Sequence, residues 1–299
     1  MKKILVLGGS GFVGRHLCKE LVRLQHRVTV PTRDVSGTRG GQSLPSLELV
    51  QADVHDPAAL ARLVPGHDAV VNLVAILHGG SLEFERTHVE LVRKIARACQ
   101  DAGVPRLVHV SALGAAKDAP SMYQRSKAKG EEVLQASPLD WTVLRPSVIF
   151  GEGDRFLTLF ARLQSIFPIM PLAGADTLFQ PVWVGDVVSA IVQCLQRQDT
   201  ARRTFEICGP DRFTLRQLVK LAGSASGHTR PVVGLPAVLA QLQAFMMEMA
   251  PGEPLMSRDN LDSLKVDNVA SGSLPGIDAL GISPAALRDI VPTYIGRRS

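Results

Sequence analysis

Leu7-Gly8-Gly9-Ser10-Gly11-Phe12-Val13-Gly14 follows an apolar run, Lys3 to Leu7, and precedes an amphipathic pattern that continues to about Leu24. A strand, a glycine-rich turn and a helix in that order make the cradle that a dinucleotide pyrophosphate needs. Glycine at 8 permits the tight turn out of the strand. Glycine at 11 lets the backbone approach the phosphates, and glycine at 14 lets helix and sheet pack closely. The backbone N–H groups from Ser10 through Gly11, Phe12, Val13 and Gly14, with the positive end of the helix dipole, then face the anion. Small-residue turns are common in α/β chains, so the reading rests on the elements flanking the turn on both sides.

Outward from this turn, strand and helix patterns alternate. The pattern predicts strands over Lys3 to Leu7, Arg27 to Val30, Leu47 to Gln51, Ala69 to Val74, Leu107 to Val110 and Trp141 to Leu144. Helices are predicted over 12–24, 57–64, 86–102 and 122–136, with a Gly/Ser-rich loop over 34–46. Such alternation implies right-handed β-α-β units and a Rossmann-like, doubly wound parallel sheet covered by helices on both faces. Past Phe150 the regularity fades, and proline and glycine are dense from Phe167 to Pro181. A helix from Asp186 to Leu195 and a strand from Thr204 to Cys208 read as further elements of the same sheet. Helices are expected near 214–223, 236–249 and 284–291. The expected division is a dinucleotide-binding domain over 1–150, rejoined by 185–208, and a smaller C-terminal lid domain from 151–184 and 209–299.

The chain has 299 residues, 45% of them hydrophobic, enough for a sizeable core. It has no stretch of roughly 18 consecutive apolar residues, the length a membrane span needs. Met1-Lys2-Lys3 and the short apolar run behind it read as the first strand rather than a leader. Cys18, Cys99, Cys194 and Cys208 lie far apart, and no histidine stands at ligand spacing, so a reduced cytoplasmic protein without metal is expected. The net charge of +5 suits cofactor phosphates, an acidic partner or an anionic membrane face. Nucleic acid is not expected as a partner, because basic residues are scattered and only 5% of residues are aromatic.

A second constellation carries chemistry. Ser111 ends the fifth predicted strand, and Tyr123-x-x-x-Lys127 sets two side chains one turn apart on one face of the next helix. An ammonium near a phenol favours the phenolate, so the tyrosine is expected to shift towards neutral pH and to act as general acid or base. A serine hydroxyl beside it would hydrogen-bond a substrate oxygen. This trio suits proton exchange during hydride transfer.

Taken together, the glycine turn, Ala52-Asp53-Val54, Asn72-Leu73-Val74-Ala75, Ser111, Tyr123 with Lys127, and Leu144-Arg145-Pro146-Ser147-Val148-Ile149-Phe150-Gly151 resemble the extended short-chain dehydrogenases/reductases. That branch includes nucleotide-sugar epimerases and dehydratases. The resemblance implies adenine contact at Asp53 and Val54, and a ribose and pyrophosphate path along Leu73, Val74 and Ala75. It also implies nicotinamide contact at Pro146 and Ile149, and a ribose anchor at Lys127 beside Tyr123. Four further stretches narrow it: Ile149-Phe150-Gly151-Glu152-Gly153-Asp154-Arg155-Phe156, Gln180-Pro181-Val182-Trp183-Val184, Cys208-Gly209-Pro210 and Leu274 to Ile282. These are similar to the nucleotide-binding accessory subunit family of respiratory complex I, alpha-subcomplex subunit nine, and its bacterial relatives. The resemblance implies tight NADPH binding, with a role in structure or assembly in mitochondria.

Cofactor choice rests on Val30-Pro31-Thr32-Arg33-Asp34. An acid here would accept from the ribose 2′-OH of NAD, whereas an arginine would pair with the 2′-phosphate of NADP. Pro31 and Thr32 occupy the places where an acid is usual and Arg33 follows, so NADP(H) is favoured over NAD(H). Arg15 and Arg39 are candidate reinforcements of a phosphate site. In the lid, Leu235 to Met249 carries an apolar stripe ending in Met246, Met247 and Met249, read as packing or as a groove or docking face for a lipid-like ligand or a membrane. Three functions follow. The first is an oxidoreductase acting on a small carbonyl, a quinone-like or an isoprenoid-derived substrate. The second is a non-catalytic NADPH-binding subunit or assembly factor peripheral to a membrane or respiratory complex, on the inner face. The third is a nucleotide-sugar epimerase or dehydratase, for which Arg145, Arg155, Arg212 and Arg216 would have to grip a second diphosphate.

Overall fold

A computed structural model describes residues 1–35, 44–249 and 256–296, without the side chain of Met247. Arg39 and most of the predicted loop over 34–46 lie outside the described residues.

The strands are β1 Lys3–Leu7, β2 Arg27–Thr32, β3 Leu47–Gln51, β4 Ala69–Asn72, β5 Arg106–Val110, β6 Asp140–Pro146 and β7 Arg203–Ile207. They form one parallel sheet in the order β7-β6-β5-β4-β1-β2-β3. Burial on both faces explains why β1 and β4 read as unbroken apolar runs rather than alternating ones. The chain order reverses between β1 and β4, which opens a crevice at their carboxyl ends. The glycine turn leaves β1 at that crevice.

Two hydrophobic cores flank the sheet. On one face, α1 Phe12–Arg23 presses Leu17, Cys18 and Leu21 against Ile4, Val6 and Val28. On the other, α2 Pro57–Leu63 and α3 Leu91–Asp101 cover Leu5, Leu7, Val70 and Leu107 with Leu60, Leu91 and Ile95. Helix α4, Met122–Gln135, adds Leu134 to the same face. A later helix, α6 Val184–Gln196, joins the first core beside α1. Between α4 and α6 lies α5, Leu157–Ile166. A third core, separate from the sheet, gathers Phe150, Leu157, Phe179 and Phe213 around Leu218 of α7, Leu215–Ala225. Beyond it come α8, Ala237–Met249, and α9, Arg258–Ser263.

Most boundaries fall within two residues of the pattern. The segment before α3 differs. A short helix, Ser81–Phe84, passes into a π-helical stretch, Glu85–Glu90, so the helical run begins earlier than residue 86. The third core also uses strands of only two or three residues, such as Ile149–Phe150 paired with Val182–Trp183. A single residue, Asn268, stitches this region together. Its side-chain oxygen accepts from Ser147 Oγ at 2.6 Å and from the Val148 N–H at 3.2 Å. Its backbone pairs with Leu178 and Gln180. The Ile149–Phe156 motif is likewise tied by Asp154, which accepts from the Gly151, Phe156 and Thr158 N–H groups and from the Tyr294 hydroxyl.

Candidate functional site

At the glycine turn, Gly8 adopts φ +82°, and a Cβ there would sit 3.1 Å from the Leu73 carbonyl carbon and the Val74 nitrogen. The turn and the end of β4 therefore close on each other only without a side chain. At Gly14 a Cβ would lie 2.3 Å from the Gly8 oxygen, so helix α1 packs against its own turn. Gly11 is different: it is exposed, and a Cβ would meet only the Gly8 oxygen, at 3.2 Å. No side chain caps the start of α1, which leaves its first N–H groups turned to the crevice. Ser10, Phe12 and Val13 are half-buried around that opening. Arg15 donates to the Ser10 carbonyl at 3.0 Å, which uses it to hold the turn. These residues fit a dinucleotide: a cradle that excludes Cβ atoms, beside uncapped amides at a switch point.

The far end of the crevice is electropositive. Thr32 is bound back on itself, its hydroxyl donating to the Asp34 carbonyl at 3.1 Å, while Arg33 is exposed. Asp53 accepts from the His55 N–H at 2.9 Å and so closes a turn before α2, and Val54 packs on the second core. Burial holds the His55 imidazole below its usual range, helped by the charges of Arg86, Lys94 and Arg33 and opposed by Asp53. Leu73 and Val74 are half-buried, and Ala75 is exposed. Pro146 is buried at the end of β6, and Ile149 is half-buried just beyond it.

Tyr123 and Lys127 share one face of α4, and the next residue on that face is Glu131. Lys127 is only 1% exposed, and its ammonium donates to the Val110 carbonyl at 3.1 Å. Burial drives Lys127 down to about 8, partly offset by Glu131. Tyr123 stands edge-on to Phe84 and His88, with centroids 6.1 and 5.5 Å away, and burial pushes its phenol up to about 12. This runs against the expected shift towards neutral pH, and the cause is desolvation of the phenolate. Ser111 is corrected as well. Its hydroxyl donates to Glu131, which Arg145 also grips at 2.6 Å, so the serine belongs to a Ser111–Glu131–Arg145 network.

Three more residues complete the setting, of which His88 and Asp259 escaped the sequence. His88, in the π-helical stretch, accepts at Nε2 from the Ile76 N–H at 3.2 Å. Its Nδ1 therefore donates to Ser126 Oγ at 2.8 Å, and Ser126 donates to the Tyr123 carbonyl at 2.8 Å. His109 bonds Asn72 at 3.1 Å through Nδ1, and its buried Nε2 finds no partner among the described residues. Burial and the charge of Lys127 hold His88 at about 2 and His109 at about 3. The third is Asp259 of α9, whose carboxylate accepts from the Met122 and Tyr123 N–H groups at 2.5 and 3.0 Å. It fastens the start of α4 to the outer helices.

Beside that junction lies a cavity of about 1020 Å³, with Met122, Leu235, Leu261 and Leu264 on its apolar part and Arg125, Glu248, Arg258, Asp259, Asp262 and Lys265 on its charged part. Among the described residues no group of acids, histidines or cysteines is arranged to hold a metal ion.

Comparison with known proteins bears on this arrangement. A family described as NAD(P)H-binding matches residues 8–156, from the glycine turn past β6. The mitochondrial NADH dehydrogenase [ubiquinone] 1 alpha subcomplex subunit 9 of Mus musculus is 32% identical over 289 residues, covering 94% of this chain and 76% of the mouse protein. The chain belongs to that subunit 9 family of atypical short-chain dehydrogenase/reductase relatives. A relative with a reductase name is the ceramide reductase of Caulobacter vibrioides, 26% identical across 78% of this chain and 73% of its own length. In fold the chain is similar to a UDP-glucuronic acid 4-epimerase from Bacillus cereus solved with NAD. The TM-score is 0.74 at 19% identity, and 98% of this chain and 97% of that one are covered. The family is thus NAD(P)H-binding and its fold is that of the epimerase-like reductases. No described helix is long and apolar enough to cross a membrane.

Proposed function

We propose that this protein is an NADP(H)-dependent reductase that acts on a carbonyl carried by an apolar, amphiphilic molecule. The observation that carries the reading is Tyr123 on α4, one turn from the buried Lys127, whose ammonium is held by the Val110 carbonyl at the end of β5. A phenol in this place can give its proton to a carbonyl oxygen as hydride arrives at the carbon. When bound, the nicotinamide supplies the hydride. The chain's own parts do the rest. The glycine turn and the amides of Phe12 and Val13 hold the pyrophosphate, Lys127 anchors the ribose and supports Tyr123, and the walls of Pro146 and Ile149 exclude water. Arg33, exposed just past the end of β2, supports NADP(H) over NAD(H), since an arginine there can pair with a 2′-phosphate. The cavity past Met122, apolar at Leu235, Leu261 and Leu264 and charged at Arg125, Asp259, Asp262 and Lys265, supports an amphiphilic substrate with an apolar part of the quinone-like or isoprenoid-derived kind, and the reductase relative agrees with lipid chemistry.

Replacing Tyr123 with Phe tests this. We expect turnover of a long-chain ketone with NADPH to fall at least about a hundredfold, the scale of a lost general acid. The melting-temperature gain from saturating NADPH should persist. Undiminished turnover in Tyr123→Phe refutes the assignment.

A second reading has its own support. Ser111 is committed to Glu131 and Arg145, so its hydroxyl is not free to orient a substrate oxygen. That favours a dinucleotide-binding subunit of a larger respiratory assembly, stabilised by its ligand by about 2.7 kcal/mol at a hundred times the dissociation constant. It predicts the same melting gain with no turnover on any carbonyl. The epimerase reading is weakest, because Arg145 is paired with Glu131 and Arg216 is spent on the Val232 carbonyl and Asp176.

A further inference from the structure

Helix α8 is inside out. Val238, Leu239, Leu242, Phe245, Met246 and Met249 recur at helical spacing and fall on one stripe, and all are exposed, Val238 at 78% and Met249 at 72%. The residues turned inward are small: Ala240 is 5% exposed and Ala244 is fully buried. An ordinary surface helix puts its large apolar side chains on the core, so the broad face here is unused by the fold.

The stripe does not stand alone. Ile166, Phe167 and Ile169 project from the turn after α5 with 61%, 50% and 52% exposure. The following strand, Met170–Leu172, pairs with Val232–Gly234, which leads directly into α8 and carries Val233 at 52%. One apolar surface therefore runs from the end of α5 across the short strand pair to the end of α8. Contiguous apolar surface on this scale marks an interaction site.

Its charges indicate the occupant. Exposed Arg162 stands on α5, and Arg230 lies at the foot of the strand, reaching the Gln164 carbonyl at 3.0 Å. The acid of α8, Glu248, is neutralised by Arg258 at 2.8 Å, and the Arg258 guanidinium also lies 5.5 Å from the Phe245 ring. An apolar face with a cationic rim, and with its one helical carboxylate cancelled internally, complements an anionic lipid surface, with the side chains in the acyl boundary and the guanidiniums at the phosphates.

We propose that this face seats the protein on an anionic bilayer, with α8 lying in the plane of the headgroups. The inward side of α8 walls the cavity that reaches Met122. A seated molecule thus presents that cavity to the membrane. The docking itself does not depend on the redox reading.

Flotation of the full chain with vesicles of phosphatidylglycerol in phosphatidylcholine, against phosphatidylcholine alone, tests it. The wild type is expected to float with the anionic vesicles and to be released by added salt. The double variant Val238→Glu/Leu242→Glu should bind at least about tenfold less tightly, since two apolar insertions are lost. Arg162→Gln should weaken anionic binding about fivefold. Both variants should keep their melting temperature and its gain with NADPH, which separates lost docking from lost fold and from lost cofactor binding. Failure of the folded wild type to float, equal flotation of the double variant, or a wild-type dimer abolished by the double variant without vesicle binding would each overturn the proposal. The last outcome would assign the face to a second copy of the chain.

Discussion

The glycine turn at 8–14 and the α4 face from Tyr123 to Glu131 lie at the same end of the sheet and are built on opposite principles. The turn works by leaving side chains out: a Cβ on Gly8 or Gly14 would strike backbone. The α4 face works by putting charge in. It buries Lys127 and Glu131 beside two imidazoles, with Val110, Ser111 and Ser126 as partners, and leaves the His109 Nε2 without one among the described residues. The first is a matter of shape and holds at any pH. The second is a matter of balance and shifts when a partner or a proton is removed.

Breaking that balance should have the largest effect. Glu131 is 2% exposed and serves Ser111, Arg145 and the field of Lys127 at once. Glu131→Ala leaves a hydroxyl and most of a guanidinium without their acceptor and a buried ammonium without its nearby negative charge. Removal of one member of a buried ion pair costs about 3–5 kcal/mol, and the lower end applies because Arg145 retains 21% side-chain exposure. Urea unfolding measures it. A loss under about 1 kcal/mol would mean that the network is solvated and that Ser111 is free to serve a substrate.

The shape principle is tested within the turn itself. Gly14→Ala drives a methyl against the Gly8 oxygen, which cannot move without moving β1, and should cost about 2–3 kcal/mol of stability. Gly11→Ala meets no such wall and has an ordinary negative φ of −74°. It should unfold within about 1 kcal/mol of wild type while binding dinucleotide at least tenfold more weakly, about 1.4 kcal/mol of affinity. Equal stability losses in the two variants would remove the distinction between a glycine kept for packing and one kept for a ligand.

The two regions also differed in how far they could be read in advance. Glycines at fixed spacing between a strand and a helix point to a phosphate cradle and to little else, and doubly buried strands announce themselves as apolar runs. Tyr123 and Lys127 were equally visible, but their electrostatics were not, because desolvation depends on Phe84 and His88, which come from a different helical run. Glu131, four residues past Lys127 on the same face, was a signal within reach. The π-helical stretch gives none, since one inserted residue only blurs the period. It nevertheless places the His88 carbonyl where a Cβ on Gly130 would come within 2.0 Å, so Gly130 is what lets α4 approach it. The region past Phe150 was the least legible. Strands of two residues have no periodicity, and their stability comes from bonds such as those of Asn268, 120 residues from Val148.

The test that separates the two principles most cleanly is the response to acid. His88 and His109 bind protons near pH 2 and 3 in the folded chain, against about 6.5 when unfolded. Across that window the unfolded state holds more protons. Each imidazole therefore contributes stability that is fully present above about pH 6.5 and lost as pH falls below it, by about 1.4 kcal/mol per pH unit. Between about pH 5 and 6.5 carboxylates remain ionised when unfolded, so histidines dominate the slope. His26 and His55, also lowered but less buried, add to it. His109→Gln isolates one contribution: unfolding followed across this range should show a slope reduced by about 0.7 kcal/mol per pH unit at about pH 6.5 and by about 1.3 near pH 5. Lys127 acts at the alkaline end, where its folded value of about 8 makes stability climb from about pH 8, until the four buried thiols, raised to about 11 or 12, reverse the gain above about pH 9 and Tyr123 adds to the fall above about pH 10. Gly11→Ala should leave every one of these slopes untouched, because nothing in the turn titrates. A histidine variant with the wild-type acid slope would show that the imidazoles are hydrated, and with them the phenol they surround.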